Sequence, residues 1–321
     1  MHPVETASRT LPRLERVEHL IDQVERVFHG RRDTVRLALV TLLARGHLLV
    51  EDVPGVGKTT LARGLARALG LDFQRVQFTA DLLPSDVVGV AVFNPHTATF
   101  ETRQGPIFAH VLLADEINRA PPRTQSGLLQ AMQERQATID GRTLPLPEPF
   151  LVLATQNPFE SHGAYPLPES QLDRFLMRIT IGYPDPEAER RILLEGGAVE
   201  DRLAQLQPIL DRQEVLDLQQ RVEDVHVAED ISSYLLEIVR RTRSHPAIAL
   251  GASPRAAVGL LAAARAWALV DGRDFVVPED VRHLAVPCLS HRILGSGGLP
   301  GVDREAVSGL EEILTAVPAP L

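Results

Sequence analysis

The sequence predicts an α/β fold, a parallel sheet built around a phosphate-binding loop, followed by an all-helical second unit. Three observations carry this expectation. Leu48 to Leu61 reads Leu-Leu-Val-Glu-Asp-Val-Pro-Gly-Val-Gly-Lys-Thr-Thr-Leu, a short apolar strand that runs through a glycine turn into an amphipathic helix. Beyond it, short apolar runs alternate with helical segments, which argues a parallel sheet with ligand sites at the carboxyl ends of its strands. The character then changes at Tyr183-Pro184-Asp185-Pro186, after which the pattern is helical. We therefore expect one unit over 1–183, comprising N-terminal helices and the α/β core, and a helical unit over 184–321.

Composition fits this division. A chain of 321 residues is long for one hydrophobic core and comfortable for two. A net charge of −9 argues against nonspecific binding to a nucleic-acid backbone, which needs a basic surface. The single cysteine, Cys288, cannot close an intrachain disulfide, which fits a reducing compartment. No stretch has the length and apolarity of a membrane span, and Met1 to Arg16 shows no apolar export segment. A cytoplasmic protein with a loose tail of about ten residues is the expectation.

The elements follow in order. Leu14, Val17, Leu20, Ile21, Val24 and Val27 recur at helical spacing, and a second helical run covers Val35 to Ala44. After the strand at Leu48, the helix opened by Gly57-Lys58-Thr59 places Leu61, Leu65 and Leu69 on one face and stops at Gly70, a suitable C-terminal cap. Arg75 to Phe78, His110 to Ala114, Phe150 to Ala154 and Leu176 to Ile181 read as buried strands. Asp81 to Pro106 fits no simple crossover helix and reads as an insertion. In the second unit, Ile231, Leu235, Leu236 and Val239 mark one helix, and the Ala-rich run from Arg255 to Val270 marks another.

The candidate chemistry sits at the strand ends. Backbone amides over Pro54, Gly55, Val56, Gly57, Lys58, Thr59 and Thr60 can surround phosphates, with Lys58 as a point charge and the Thr59 hydroxyl placed to hold Mg²⁺. Asp52 stands where the usual pattern has its first glycine. Aspartate tolerates a left-handed backbone, and its charge is acceptable only if it points away from the phosphates. The strand His110-Val-Leu-Leu-Ala-Asp115-Glu116 ends in two carboxylates. Alone these could be a solvated strand end; at this distance from a P-loop, Asp115 suits Mg²⁺ and Glu116 suits activation of water. Asn157, at the end of the next strand, either orients that water or starts an Asn-Pro turn. Arg174 is a surface arginine paired with Asp173 in a monomer, or reaches a neighbour's phosphate in a ring. Ser253-Pro254-Arg255 opens a helix, so Arg255 either faces solvent or completes an anion site.

Longer motifs carry a family resemblance. Asp115-Glu-Ile-Asn-Arg-Ala-Pro-Pro-Arg-Thr-Gln-Ser126, continuing to Ala131-Met-Gln-Glu134, resembles the Walker B segment of the MoxR family of AAA+ ATPases. So do Asp81-Leu-Leu-Pro-Ser-Asp86 and Tyr165-Pro-Leu-Pro-Glu-Ser-Gln-Leu-Asp-Arg-Phe175. The resemblance spans roughly Leu14 to Leu294. It implies a core with a five-stranded parallel sheet, an α-helical lid, and a homo-oligomeric ring, commonly a hexamer. It further implies ATP and Mg²⁺ as cofactors, Asn157 as sensor 1, Arg174 as the arginine finger and Arg255 as sensor 2. The activity implied is chaperone-like: remodelling, maturing or activating protein partner complexes, often with a von Willebrand factor A protein. Asp52 also occurs among MoxR-like sequences. A metal-chelatase ATPase subunit shares these motifs, but the wording around Asn118 and Gln125 favours the MoxR reading. A DNA or RNA motor is the other alternative, opposed by the acidity. No Asn-Lys-x-Asp motif supports a GTPase switch, and filled catalytic positions oppose an inactive scaffold.

Overall fold

The computed structural model describes residues 11–157, 164–194, 198–295 and 303–320. The expected N-terminal tail lies outside them. Two helices, Leu11–Phe28 and Arg32–Leu43, lead into β1 (Leu48–Glu51) and then the P-loop helix (Lys58–Ala68). The α/β region continues through β2 (Phe73–Gln77), β3 (Gly89–Asn94), β4 (Thr99–Gln104), β5 (Val111–Asp115), β6 (Gln136–Ile139), β7 (Arg142–Pro145), β8 (Leu151–Gln156) and β9 (Met177–Ile179).

Five of these strands form one sheet in the order β2-β5-β8-β1-β9, with every pairing parallel. The register brings the chemistry together: Glu51 stands opposite Gln156, and Gln77 opposite Asp115. Both faces of the sheet are covered. Leu48, Val50, Val111, Leu113, Leu151 and Leu153 pack against the first two helices and the P-loop helix. Leu49, Leu112, Ala114, Val152 and Ala154 alternate onto the opposite face, against Phe78, Leu128, Met132, Phe150 and Phe175. Burial on both sides explains why β1, β5 and β8 read as continuous apolar runs.

β2 differs from the expectation of a buried strand. It is an edge strand, with Gln74, Arg75 and Gln77 exposed. Its apolar content, Val76 and Phe78, was enough to mark a strand and too little to mark its place in the sheet. The segment read as an insertion is a short helix, Pro84–Val88, followed by the antiparallel hairpin β3–β4. A second hairpin, β6–β7, turns at Asp140-Gly141, and the Asp140 carboxylate accepts the Ala91 amide of the first at 2.8 Å.

After β9 the chain is helical over Pro186–Leu194, Val199–Gln205, Arg212–Asp224, Glu229–Thr242, Pro254–Val270, Pro278–Leu289 and Arg304–Ala316. The expectation of helix alone needs one correction. Ile248–Leu250 (β10) and Leu294–Gly295 (β11) pair antiparallel, and strands this short carry no periodicity to read. Among the described residues, no helix is long and apolar enough to cross a membrane.

Candidate active site

The P-loop has the geometry its sequence requires. Gly55 and Gly57 take φ of +86° and +91°, left-handed values that a side chain would strain, and Gly57 caps the P-loop helix. Leu61, Leu65 and Leu69 are fully buried, and Gly70 ends the element at φ +60°.

Asp52 does not take the left-handed backbone that its replacement of glycine suggested; it is absent from the positive-φ residues. Its carboxylate turns away from the phosphate site as expected, yet into the protein rather than to solvent. It is buried, and it accepts the Val53 amide at 2.8 Å, the Ile181 amide at 2.7 Å and the Gly182 amide at 2.6 Å. The loop is thus tied to the segment leaving β9.

A cleft of ≈ 370 Å³ opens beside the loop, lined by Pro54, Gly55, Gly57, Lys58, Thr59, Arg75, Gln77, Asp115, Glu116 and Asn157. It lies at the carboxyl ends of β1, β2, β5 and β8, where an open parallel sheet places its ligand site. Lys58 Nζ donates to the Asp52 carbonyl at 2.6 Å. Burial lowers the Lys58 pKa, opposed by the charges of Asp52, Asp115 and Glu116. An anion in the cleft would replace this internal acceptor with a stronger, charged one.

Thr155 on β8 organises the two carboxylates. Its hydroxyl donates to Asp115 Oδ1 at 2.6 Å and accepts the Glu116 amide at 2.9 Å. Glu116 sits at φ +55°, ψ +49°, a left-handed conformation uncommon for a side-chain residue and worth a kilocalorie or more of strain, on the order of 1–3 kcal/mol. That turn separates the two acids in direction. Asp115 Oδ2 takes Arg75 Nη2 at 2.5 Å, whereas Glu116 Oε2 lies 3.1 Å from Arg119 Nη1.

Beneath the cleft is a buried ion pair that the sequence reading missed. Arg178 Nη1 of β9 stands 3.3 Å from Glu51 Oε2, and Gln156 Nε2 donates to Glu51 Oε1 at 2.7 Å. An arginine inside the apolar run Leu176–Ile181 was the available signal. Arg75 and Thr155 were also missed; only strand register reveals them. Asn118 and Gln125 hold a loop. Gln125 Nε2 donates to the carbonyls of Ile117 and Tyr165, and the Tyr165 amide donates to the Asn118 carbonyl.

Of the remaining candidates, Val56 and Thr60 belong to the loop and its helix without lining this cleft, and Arg174 and Arg255 stand apart from it. Arg174 follows the short helix Glu169–Leu172, is half-buried and has no side-chain partner among the described residues. The pairing with Asp173 that the monomer alternative offered is not formed. Asp173 Oδ1 instead lies 3.1 Å from Arg292 Nε. Arg255 is exposed on the first turn of Pro254–Val270, where Ser253 Oγ caps the helix by accepting the Ala256 amide at 3.1 Å. A second cleft, ≈ 960 Å³, lies on the other side of the loop and includes Asp22, Glu25, His29, Val56, Gly182 and Tyr183 in its walls.

A family profile described as "ATPase family associated with various cellular activities (AAA)" matches residues 47–177, and one described as "AAA lid domain" matches 240–313. The Chaperone MoxR1 of Mycobacterium tuberculosis is 45% identical over 287 residues, covering 87% of this chain and 75% of that protein. The chain belongs to the MoxR family of AAA+ ATPases. An uncharacterized protein of Bacillus subtilis, YeaC, is 46% identical over 94% of both chains. A crystal structure from Cytophaga hutchinsonii superimposes with a TM-score of 0.88 at 38% identity, over 98% of both chains. The AAA+ core with its five-stranded parallel sheet and helical lid is thereby the fold of this MoxR-family ATPase.

Proposed function

We propose that this MoxR-family ATPase binds ATP with Mg²⁺, hydrolyses it as a homo-oligomeric ring, commonly a hexamer in the family, and uses the cycle to remodel or activate protein complexes. The observation that carries the reading is the convergence of Lys58, Thr59, Asp115, Glu116 and Asn157 on one cleft at the edge of a P-loop sheet. Lys58 would leave the Asp52 carbonyl for the phosphates, with the loop amides and the helix N-terminus around it. Thr59 and Asp115 offer one hydroxyl and one carboxylate, a sparse oxygen set that suits Mg²⁺, which keeps several waters and phosphate oxygens. When bound, the ion would neutralise phosphate charge. Glu116 is turned away from Asp115, and its Oε1, the oxygen not paired with Arg119, would polarise a water that Asn157 would orient.

Arg174 lies off its own subunit's cleft, which supports a role on the neighbour's phosphate, and Arg255 would answer to its own subunit's nucleotide through the lid. The chaperone name of the mycobacterial relative supports a protein client; a von Willebrand factor A protein is the partner we propose. The net charge of −9 favours a protein over a nucleic-acid substrate. Buried Cys288, the single cysteine, supports the cytoplasm as its compartment.

The test is a pair of variants and their mixture. Arg174→Ala should bind ATP and lose ~10³–10⁵ in turnover, the usual worth of an arginine finger. Glu116→Gln should bind ATP and hydrolyse it slowly. Mixed rings should regain activity, because Glu116→Gln subunits supply a finger to intact sites beside them. Wild-type turnover by Arg174→Ala, or no gain on mixing, refutes the ring mechanism.

A further inference from the structure

Asp173 and Phe175 flank Arg174 in sequence, and both are gripped by the lid. Arg292, which follows the helix Pro278–Leu289, has only 4% of its side chain exposed. Its Nη2 donates to the Phe175 carbonyl at 2.7 Å and to the Asp173 carbonyl at 3.2 Å, while Nε faces the Asp173 carboxylate at 3.1 Å. His291 Nε2 donates to the same Phe175 carbonyl at 2.9 Å. The same Asp173 oxygen also meets the start of the Arg255 helix, where Ser253 Oγ donates to Oδ1 at 3.5 Å. That helix also shapes the space around the guanidinium. A Cβ added at Gly259 would come 3.1 Å from Arg292 Nη1, so only glycine leaves the arginine its full room. The charge on Arg292 is costly to bury. Neither Nε nor Nη1 makes a hydrogen bond, Nε meeting the Asp173 carboxylate only as an ion pair, and Arg255 opposes the charge from nearby. A buried, incompletely satisfied arginine is poor stability engineering, since apolar replacements of such groups are often neutral or better. What it does is fix the backbone on both sides of Arg174 to the end of the helix Pro278–Leu289.

We propose that Arg292, through Asp173 and the Phe175 carbonyl, is a positioning residue for Arg174, holding the finger loop against the lid so that Arg174 meets the neighbouring subunit's nucleotide in register. This inference rests on the reading of Arg174 as acting across a subunit interface. A guanidinium displaced by about 1 Å can cost about 10²-fold in rate, so a lost latch should be visible in turnover without touching the subunit's own nucleotide grip.

The test uses the full-length chain. Arg292→Met keeps the side-chain length and removes the latch. Asp173→Asn, at a partly exposed position, removes its charged end with little burden on folding. Thermal melts establish that each variant is folded. Both should lose about 10²-fold in kcat with KM for ATP unchanged. Both should recover when mixed with Glu116→Gln subunits, whose own latches are intact. A merely structural defect in the lid would damage the variant's own site and would not be repaired by a neighbour. Wild-type kcat in Asp173→Asn overturns the latch, as does failure of the mixture to recover while Arg174→Ala mixed with Glu116→Gln does recover. If that Arg174→Ala control itself fails to recover, the interface reading of Arg174 has failed, which is a separate result.

Discussion

Replacing Asp52 by glycine tests the site most sharply, because motif and structure predict opposite outcomes. Asp52→Gly restores the common P-loop pattern, so pattern alone predicts a neutral or improved protein. The structure predicts a damaged one. The carboxylate accepts the buried Ile181 amide and the half-buried Gly182 amide at 2.7 and 2.6 Å, besides that of Val53. Hydrogen bonds to a charged group are worth ~1.5–3 kcal/mol each, so losing the two that cross to Ile181 and Gly182 costs roughly 3–6 kcal/mol. The Val53 amide sits in the loop itself and can reach water, so it adds little. Asp52→Asn should fall between, since its carboxamide oxygen can accept while its NH₂ faces donors. Urea unfolding measures the loss as a lower midpoint at constant m-value. A change below about 0.5 kcal/mol, the range of an inert surface substitution, would refute the assignment of Asp52 as the anchor of the loop.

The other predictions are independent of it. Arg75→Ala removes the cation from Asp115 and should tighten Mn²⁺ binding to the nucleotide-free protein, by roughly fivefold or more from the water-screened attraction of about 1 kcal/mol; unchanged affinity in calorimetry would show that Arg75 does not compete for that carboxylate. Arg255→Ala should weaken ATP about 10–100-fold while leaving ADP nearly unaffected, the worth of one charged hydrogen bond to the γ-phosphate; equal losses for the two nucleotides would remove sensor 2 from the account. Acid should destabilise the fold through its buried histidines. His47 donates to the Met132 carbonyl and accepts the Val152 amide, and burial pulls its pKa down to about 3; burial first and then Arg292 hold His291 well below the usual value. Both folded values lie below the unfolded ~6.5, so stability is full above pH 6.5 and falls as the unfolded chain takes protons the native state refuses, by about 2 kcal/mol between pH 7 and 5 for His47, with His291 acting in the same direction. Equal unfolding free energies at those two pH values would contradict this.

What the sequence revealed and what it hid divide along a physical line. Lys58, Thr59, Asp115, Glu116 and Asn157 were legible because each is fixed by short-range order: a strand end, a turn, a helix start. The contacts that support them join distant parts of the chain. Thr155 reaches Asp115 and Arg178 reaches Glu51 only once the parallel register is set, and no local pattern encodes that register. Asp173 shows the limit clearly. Its neighbour Arg174 was the obvious partner, yet a buried arginine 119 residues away takes it. The edge position of β2 was hidden for a related reason, since whether a strand has one neighbour or two is decided by topology rather than by its own residues.

The two clefts on either side of the P-loop have a consequence for how a ligand would strengthen the molecule. The smaller is built from strand ends, but the larger brings the first helix, through Asp22 and Glu25, against Gly182 and Tyr183 at the exit of β9. A nucleoside triphosphate spanning both would act as a cross-brace between chain segments about 160 residues apart, whereas inorganic tripolyphosphate would fill one side and brace nothing. Binding at a hundredfold excess over Kd contributes about 2.7 kcal/mol of apparent stability whatever the ligand. The difference should therefore show in where protection appears. Amide exchange in the first helix should slow with the nucleotide and stay fast with tripolyphosphate at matched occupancy.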